Sequence, residues 1–208
     1  MFKAKVRATL LALFLPLLLT ATPILKNDLL NIEATKLVIN MGNELVSKTG
    51  VHGYIIATNE HFDVGFNLVG YSKKYEQNMS KPYVVFVFAP FASITEKSEV
   101  RGRVGIIPSS EEVRKLYNYE AVRDAAIDVV ATTDKNSAED KHNVGIVQAF
   151  SELCDNIAES KGIKLIKTIP NETKYIIWAL KILVYIGSLL VLWMFILRPL
   201  FTRKKNGK

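Results

Sequence analysis

Two apolar stretches bracket this chain, and they constrain its topology more than any other feature. The first runs from about Ala8 to Leu25, and the second runs from Tyr175 to Leu197. Because lipid cannot hydrogen-bond to the backbone, an apolar run of roughly 20 residues is typical of a membrane-spanning helix. Basic residues precede the first stretch and follow the second, and basic flanks stay in the cytoplasm. The sequence therefore predicts that the region between the two stretches lies outside the cytoplasm.

Residues 1–25 have the form of a secretory signal peptide. A basic start and a Leu-rich centre precede the small residues Thr20, Ala21 and Thr22, which is the pattern of a cleaved leader. We expect cleavage after Ala21, and an uncleaved N-terminal anchor is the alternative.

Residues 175–197 are predicted to form one C-terminal transmembrane helix. At 1.5 Å per residue the run covers about 34 Å, enough to cross a bilayer with modest tilt. The tail over 198–208 is basic, which places it in the cytoplasm. The predicted location is the cytoplasmic (inner) membrane, with the main domain in the periplasm or outside. The bilayer and a membrane protein are the predicted partners.

The distribution of charge argues against binding to nucleic acid. The net charge is +7 and the pI is about 9.4, which by themselves could indicate a nucleic-acid ligand. However, the region from Lys26 to Lys174 carries 18 Lys and Arg against 20 Asp and Glu, a balance of −2. The basic excess thus lies at the two ends of the chain, where it indicates topology and contact with anionic lipid.

The region over 26–170 is predicted to be one exported α/β domain, with a small mixed sheet flanked by helices in an α/β/α sandwich. Alternating and helical apolar patterns define its elements. These are a helix from Leu30 to Gly50, a strand over 51–58, a helix over 67–79, strands over 82–89 and 98–107, a helix that Ser109 caps, a helix over 119–130, a last helix over 144–157, and an edge strand or linker over 163–169.

Four local patterns stand out: Lys48-Thr-Gly before a strand with Ile55-Ile-Ala, the apolar run Val84 to Pro90, the basic strand Arg101-Gly-Arg-Val-Gly, and Asn143 to Ala149 before the last helix. Together, over about Asn31 to Glu159, they resemble the TPM domain family. The resemblance implies an exported α/β domain that ends in a membrane helix. Metal binding and phosphatase activity are attributed to some members. This chain has Lys81-Pro82 where members often have an Asp/Asn-Gly turn, and 106–112 replaces their Gly-rich acidic stretch.

One polar loop offers candidate metal ligands. Thr132 to His142 contains five oxygen or imidazole donors: Asp134, Asn136, Glu139, Asp140 and His142. A divalent cation such as Ca²⁺ needs six to eight oxygens in a folded loop, and this spacing does not match an EF-hand. A solvated loop in which Asp140 or Asn143 caps the last helix is the alternative interpretation. No other cofactor is predicted.

Other polar residues have plain structural explanations. His61 and Asp63 could form a base and an orienting carboxylate, but a polar loop after a strand also explains them. Ser109 and Ser110 stand at a helix start, and Arg101 and Arg103 alternate on a strand where charge discourages edge pairing. Cys154 is the only cysteine, and its helical neighbours Leu153 and Ile157 predict a buried, structural thiol.

Two hypotheses for function follow. The first is a membrane-anchored, non-catalytic interaction domain that supports the assembly or maintenance of a membrane protein complex. The second is a metal-dependent hydrolase of phosphate esters that uses the loop over 134–142 with Arg101 or Arg103. They differ in geometry, because a hydrolase needs its carboxylates and arginines to converge on one concave site.

Overall fold

The computed structural model describes residues 22–96, 102–133, 135–170 and 172–197. The chain divides into two compact units, residues 1–168 and residues 169–208. The first unit contains the α/β domain and the second contains a helix.

A four-stranded sheet forms the centre of the first unit. Its strands are β1 (Ile24–Asn27), β2 (His52–Ala57), β3 (Tyr83–Ala89) and β4 (Arg103–Pro108), and they lie in the order β1-β2-β3-β4. The first three strands are parallel, and β4 is antiparallel to β3. The prediction of an α/β fold with a small mixed sheet is therefore confirmed.

The described residues also contain six α-helices, one 3₁₀ segment and one π-helical segment. They are α1 (Ile32–Thr49), α2 (Leu68–Ser72) with a 3₁₀ segment (Lys73–Asn78), α3 (Glu111–Arg114), α4 (Tyr119–Ala131), α5 (Ala138–Ser160), and α6 (Glu172–Leu192) with a π-helical segment (Trp193–Leu197).

Strand β1 lies where the sequence predicts part of a leader. The carbonyl of Pro23 accepts a hydrogen bond of 2.7 Å from the backbone N–H of Ile55. Pro23 also packs closely on Gly42 of α1, where a Cβ atom would lie 2.8 Å from the Pro23 Cβ. The apolar side chains of Ile24 and Leu25 thus belong to the sheet, which begins two residues before the domain boundary expected at residue 26.

Helix α1 begins and ends as its sequence predicts. The Asn31 side chain accepts a hydrogen bond of 2.8 Å from the Ala34 N–H, an N-cap. Gly50 has a φ of 74° and ends the helix in the left-handed conformation. The residues that α1 buries share one stripe: Ala34, Val38, Met41, Gly42 and Leu45.

One predicted helix cap is wrong, one predicted helix is partly 3₁₀, and one pair of alternatives is decided. Ser110, not Ser109, caps α3, because the Ser109 Oγ atom instead accepts a hydrogen bond of 3.0 Å from the Tyr83 N–H. The predicted helix over 67–79 becomes 3₁₀ after Ser72. Residues 163–169 form no strand, so the linker alternative holds. Two backbone N–H groups of this segment, at Ile166 and Lys167, donate to the Glu44 carboxylate.

Helices lie on both faces of the sheet, and residues of β2 show which helix covers which face. A Cβ atom at Gly53 would lie 3.0 Å from Phe150 of α5 and 3.2 Å from Leu45 of α1. The next residue, Tyr54, faces the other way and belongs to a buried cluster with Leu68 and Tyr71 of α2. Helices α1 and α5 therefore cover one face, and α2 covers the other.

The connections between the parallel strands have an uncommon arrangement. Both connections step in the same direction across the sheet, from β1 to β2 and from β2 to β3. However, α1 and α2, which belong to these connections, lie on opposite faces. The two crossovers therefore have opposite hands, although a right-handed crossover is the rule.

Cys154 is fully buried in α5, as predicted. Burial raises the pKa of its thiol well above the ordinary value, so the reactive thiolate is disfavoured. This agrees with a structural role.

The second unit is described by α6 and its π-helical end. Its described side chains are exposed, and most are apolar, such as Leu183, Leu189 and Phe195. Within the part of the chain that the structure describes, no helix has the combined length and apolarity needed to cross a membrane.

The close approach at Gly53 yields a stability prediction. We expect Gly53→Ala to lower the free energy of unfolding by about 1–3 kcal/mol, because the new methyl group overpacks against Phe150 and Leu45. Urea titration of the full-length protein, followed by far-UV circular dichroism, measures the change. Gly70→Ala is the matched control, since its Cβ would meet only Asn67 at 3.6 Å or more. Equal stability of the Gly53→Ala protein and the wild type would contradict this packing.

Candidate functional site at the carboxyl edge of the sheet

The carboxyl ends of β1 and β2 mark the candidate site. The chain leaves β1 towards α1 on one face and leaves β2 towards α2 on the other face. Neighbouring strands whose connections leave towards opposite faces open a crevice at their carboxyl ends, which is where open α/β sheets bind ligands. Asp28 follows β1, and Thr58 and Glu60 follow β2, so polar side chains stand at this crevice.

A β-bulge in β1 brings Lys26 to the crevice. Ile24 pairs with Ile55 and Lys26 pairs with Ile56, so Leu25 is an extra residue in β1. A bulge can redirect a side chain in this way. Paired residues on neighbouring strands point to the same face, and Ile56 faces α2. The bulge therefore places Lys26 on the face that α2 covers.

The Lys26 ammonium is the centre of a hydrogen-bonded network, the Lys26 cluster, with Asp28, Glu60 and Tyr71. Its Nζ atom lies 3.1 Å from Asp28 Oδ2 and 3.3 Å from Tyr71 Oη, and it also donates to Glu60 Oε1. The Tyr71 hydroxyl donates to the same Glu60 oxygen at 2.8 Å. One cation thus joins two carboxylates from the ends of two different strands.

Two further donors fix the Asp28 carboxylate. Its Oδ2 atom accepts hydrogen bonds from the Thr58 hydroxyl at 3.3 Å and from the Asn59 N–H at 3.2 Å. The Thr58 hydroxyl in turn accepts from the Glu60 N–H at 3.2 Å. These bonds link the chain after β1 to the chain after β2.

The cluster keeps its charged groups ionised. Partial burial alone would lower the pKa of Lys26, but hydrogen bonds with Glu60, Tyr71 and Asp28 outweigh it and raise that pKa. The hydrogen bond from Lys26, followed by the one from Tyr71, lowers the pKa of Glu60. Burial, followed by hydrogen bonding to Tyr75, raises the pKa of Tyr71 to about 12. Each shift stabilises the form that these groups already have at neutral pH.

Aromatic rings surround the network on the α2 face. Phe62 and Phe66 stack with their centroids 4.5 Å apart, and Phe62 meets the edge of Tyr71 at 5.1 Å. The Lys74 ammonium lies 4.9 Å from the centroid of the Tyr71 ring, a cation–π contact. These aromatic rings cover the apolar surface of the sheet on the α2 face, and they also form a wall beside the Lys26 cluster.

The loops after β2 and β3 enclose a small cavity next to this wall. Its volume is about 200 Å³, and its lining includes His61, Phe62, Val64, Phe91, Ser93 and Glu96. The His61 and Phe91 rings stack with centroids 4.6 Å apart. A hydrogen bond of 3.0 Å from the Gly65 N–H to the Ser93 carbonyl holds the two loops together.

The predicted metal ligands lie largely on a helix rather than in a loop. Asp134 lies outside the described residues. Helix α5 begins at Ala138, so Glu139, Asp140 and His142 lie in its first turns. The polar loop thus ends earlier than the sequence predicts, because Ser137 is the N-cap and accepts from the Asp140 N–H at 3.1 Å.

The described members of this set have contacts of other kinds. The Asp140 carboxylate accepts a hydrogen bond of 2.7 Å from the Ser137 hydroxyl. His142 meets the edge of Phe88 at 5.5 Å, and burial lowers its pKa. Asn136 is exposed before the helix. Over residues 22–96, 102–133, 135–170 and 172–197, no three or more His, Cys, Asp or Glu side chains are grouped to hold a metal ion.

The other sequence candidates do not come together with the Lys26 cluster. His61 stacks on Phe91 in the neighbouring cavity. The Arg103 guanidinium donates to the Phe66 carbonyl, which ties β4 to the loop before α2, and Arg101 lies outside the described residues. Ser109 and Ser110 bond to backbone N–H groups at the opposite edge of the sheet.

Sequence reasoning missed the Lys26 cluster. Lys26 and Asp28 stand between the predicted leader and the first predicted helix, where the sequence predicts no regular element. Thr58, Asn59 and Glu60 directly follow a predicted strand, and polar residues at that position are a recognised indication of a site. Without β1, however, nothing in the sequence indicates a partner strand.

No family model matches this chain, and no curated protein matches its sequence. The resemblance to the TPM domain family therefore stays a prediction.

The network yields a prediction about ionisation. We expect Lys26→Met to raise the pKa of Glu60, because the hydrogen bond from Lys26 is the largest cause of its lowering. An NMR titration of the Glu60 carboxyl carbon measures this pKa. Lys36→Met, at an exposed position on α1, is the matched control. A Glu60 pKa that is unchanged by Lys26→Met would refute the ion pair.

The same change has a defined dependence on pH. The contribution of Glu60 to stability is present above its ordinary pKa of 4.5 and is lost as the pH falls through the lowered value. The contribution of Lys26 to stability is present below its ordinary pKa of 10.5 and is lost as the pH rises through its raised pKa. We expect Lys26→Met to cost about 1 kcal/mol between these limits, because Glu60 is 44% exposed and solvent screens the pair.

Proposed function

We propose that the α/β domain is a non-catalytic interaction domain, similar to TPM domains, which is anchored to a membrane and supports the assembly or maintenance of a membrane protein complex. One observation carries this proposal: the charged groups at the carboxyl-edge crevice are bound to one another. Lys26 occupies the space between Asp28 and Glu60, and the chain therefore fills its own crevice.

The ionisation of the cluster supports the same conclusion. A lysine that acts as a base or nucleophile needs a lowered pKa, and a carboxyl group that donates a proton needs a raised one. The pKa of Lys26 is instead raised and the pKa of Glu60 is instead lowered. Their arrangement suits a clamp that fixes the loops after β1 and β2.

Two exposed apolar side chains beside the crevice supply a contact surface. Val64 is 48% exposed and Ile94 is 64% exposed. The hydrogen bond between Gly65 and Ser93 holds their loops side by side. Apolar side chains on loops that a rigid scaffold positions are a common means of binding a protein partner. We name this pair the Val64/Ile94 surface.

Membrane anchoring rests on the sequence alone, because no helix within the described residues has the length and apolarity needed to cross a membrane. The run over 175–197 is apolar, the tail over 198–208 is basic, and the region between the two apolar stretches is nearly neutral. We propose one span over 175–197, a periplasmic or otherwise external α/β domain, and a cytoplasmic tail.

A comparison of captured proteins tests the interaction function. The full-length chain, tagged at its C-terminus and purified in mild detergent, is compared with the Val64→Asp/Ile94→Asp double variant. Ile127→Asp is the matched control, because Ile127 is 45% exposed on α4, which packs against α5. We expect mass spectrometry to find proteins that the wild type and the control retain and that the double variant loses, since aspartate desolvates poorly at an interface core.

Two results would contradict the interaction function. The first is that the wild type, the double variant and the Ile127→Asp control all capture the same set of proteins. The second is metal-dependent hydrolysis of an aryl phosphate by the full-length chain that Asp140→Ala abolishes, which would establish the hydrolase hypothesis instead.

Fusions to a reporter that is active only outside the cytoplasm test the topology. We expect activity from a fusion after Gly162 and none from a fusion after Lys208, because the basic tail stays inside. A reporter that is fluorescent only in the cytoplasm serves as the control and should show the reverse. Activity of the outside reporter after Lys208 would overturn the proposed orientation.

A further inference from the structure

We infer that the cavity between the loops after β2 and β3 is a binding socket for an arginine side chain of a partner protein. This inference deepens the proposed interaction function and rests on it. The socket is defined by His61, Phe91, Ser93 and Glu96, with Val64 on its lining.

The size of the cavity restricts the occupant. A volume of about 200 Å³ is below the roughly 300–1,000 Å³ that sites for drug-sized ligands and cofactors occupy. It is nevertheless far larger than one water molecule, which takes about 30 Å³. The cavity therefore fits a single long side chain better than a nucleotide or a comparable cofactor.

The lining selects a planar cation. The His61 and Phe91 rings stack on each other, with 9° between their planes, so each ring offers flat aromatic surface only on the face turned away from the other ring. A guanidinium group stacks on such a surface and gains cation–π attraction there. The Glu96 carboxylate supplies the opposite charge, and the described residues that line the cavity include no Lys or Arg. A carboxylate or phosphate ligand would instead meet Glu96 as a like charge.

The surroundings suit an interface more than a free small molecule. Val64 belongs both to the lining of the cavity and to the Val64/Ile94 surface. An arginine that enters a pocket with apolar residues at its rim is a frequent form of interface hot spot, because the rim excludes water from the ion pair. The socket would thus be the polar anchor of the surface proposed above.

A titration with a small probe tests the socket directly. The probe is N-acetyl-arginine-N-methylamide, and its neutral analogue is N-acetyl-citrulline-N-methylamide. The full-length protein in detergent micelles is observed through the ring signals of His61 by ¹H–¹³C NMR. We expect saturable shifts with the arginine probe and an affinity for the citrulline analogue that is weaker by about fivefold or more.

Variants connect the binding to the lining. Phe91→Leu keeps an apolar side chain and removes the ring, while Glu96→Gln keeps the shape and removes the charge. We expect each to weaken binding of the arginine probe by about fivefold. Glu159→Gln, an exposed position at the end of α5, is the matched control and should leave it unchanged. Circular dichroism spectra that match the wild type establish that the variants fold.

Each contrary outcome overturns the socket. These outcomes are the absence of saturable shifts, equal affinity for the arginine and citrulline probes, and arginine binding that neither Phe91→Leu nor Glu96→Gln reduces. If the probe fails while captured proteins still depend on the Val64/Ile94 surface, the socket falls and the interaction function stands. If the probe binds as expected while no captured protein depends on that surface, the cavity does bind arginine, but the interaction function falls and with it the assignment of that arginine to a partner protein.

Discussion

The extra residue at Leu25 determines which face of the sheet Lys26 faces, and the carboxyl edge depends on that orientation. Without the bulge, the register that pairs Ile24 with Ile55 would place Lys26 opposite Ala57, on the face that α1 and α5 cover. An ammonium group there would enter an apolar layer at a high cost in desolvation. With the bulge, it forms ion pairs with both Asp28 and Glu60 across the crevice.

This constraint connects the fold to the proposed function. The connections after β1 and β2 leave towards opposite faces of the sheet and so open a crevice at the ends of these strands. Parallel α/β proteins commonly bind ligands in such a crevice. Here an internal ion pair closes it and holds the two loops in place. In the function proposed above, the loops after β2 and β3 present the Val64/Ile94 surface and the cavity beside His61 and Phe91 to a protein partner.

The sequence predicts the regular elements better than it predicts the site. Periodic apolar residues and a terminal glycine locate α1, and the unbroken apolar run from Tyr83 to Ala89 locates the buried strand β3. Strand β1 was missed, because Ile24 and Leu25 continue an apolar run that is equally typical of a leader. The Lys26 cluster was missed for the same reason, since its residues meet only through the pairing of β1 with β2. Such long-range pairing leaves no local periodicity in the chain.

A double-mutant cycle between Lys26→Met and Glu60→Gln tests the central claim most directly. The free energies of unfolding of the wild type, both single variants and the double variant are measured at pH 7 and at a series of lower pH values. The ion pair predicts a coupling energy of about 0.5–1 kcal/mol at pH 7 that diminishes as the pH falls through the lowered pKa of Glu60. Additive effects of the two substitutions at pH 7 would contradict the account, because Lys26 would then not close the crevice through Glu60.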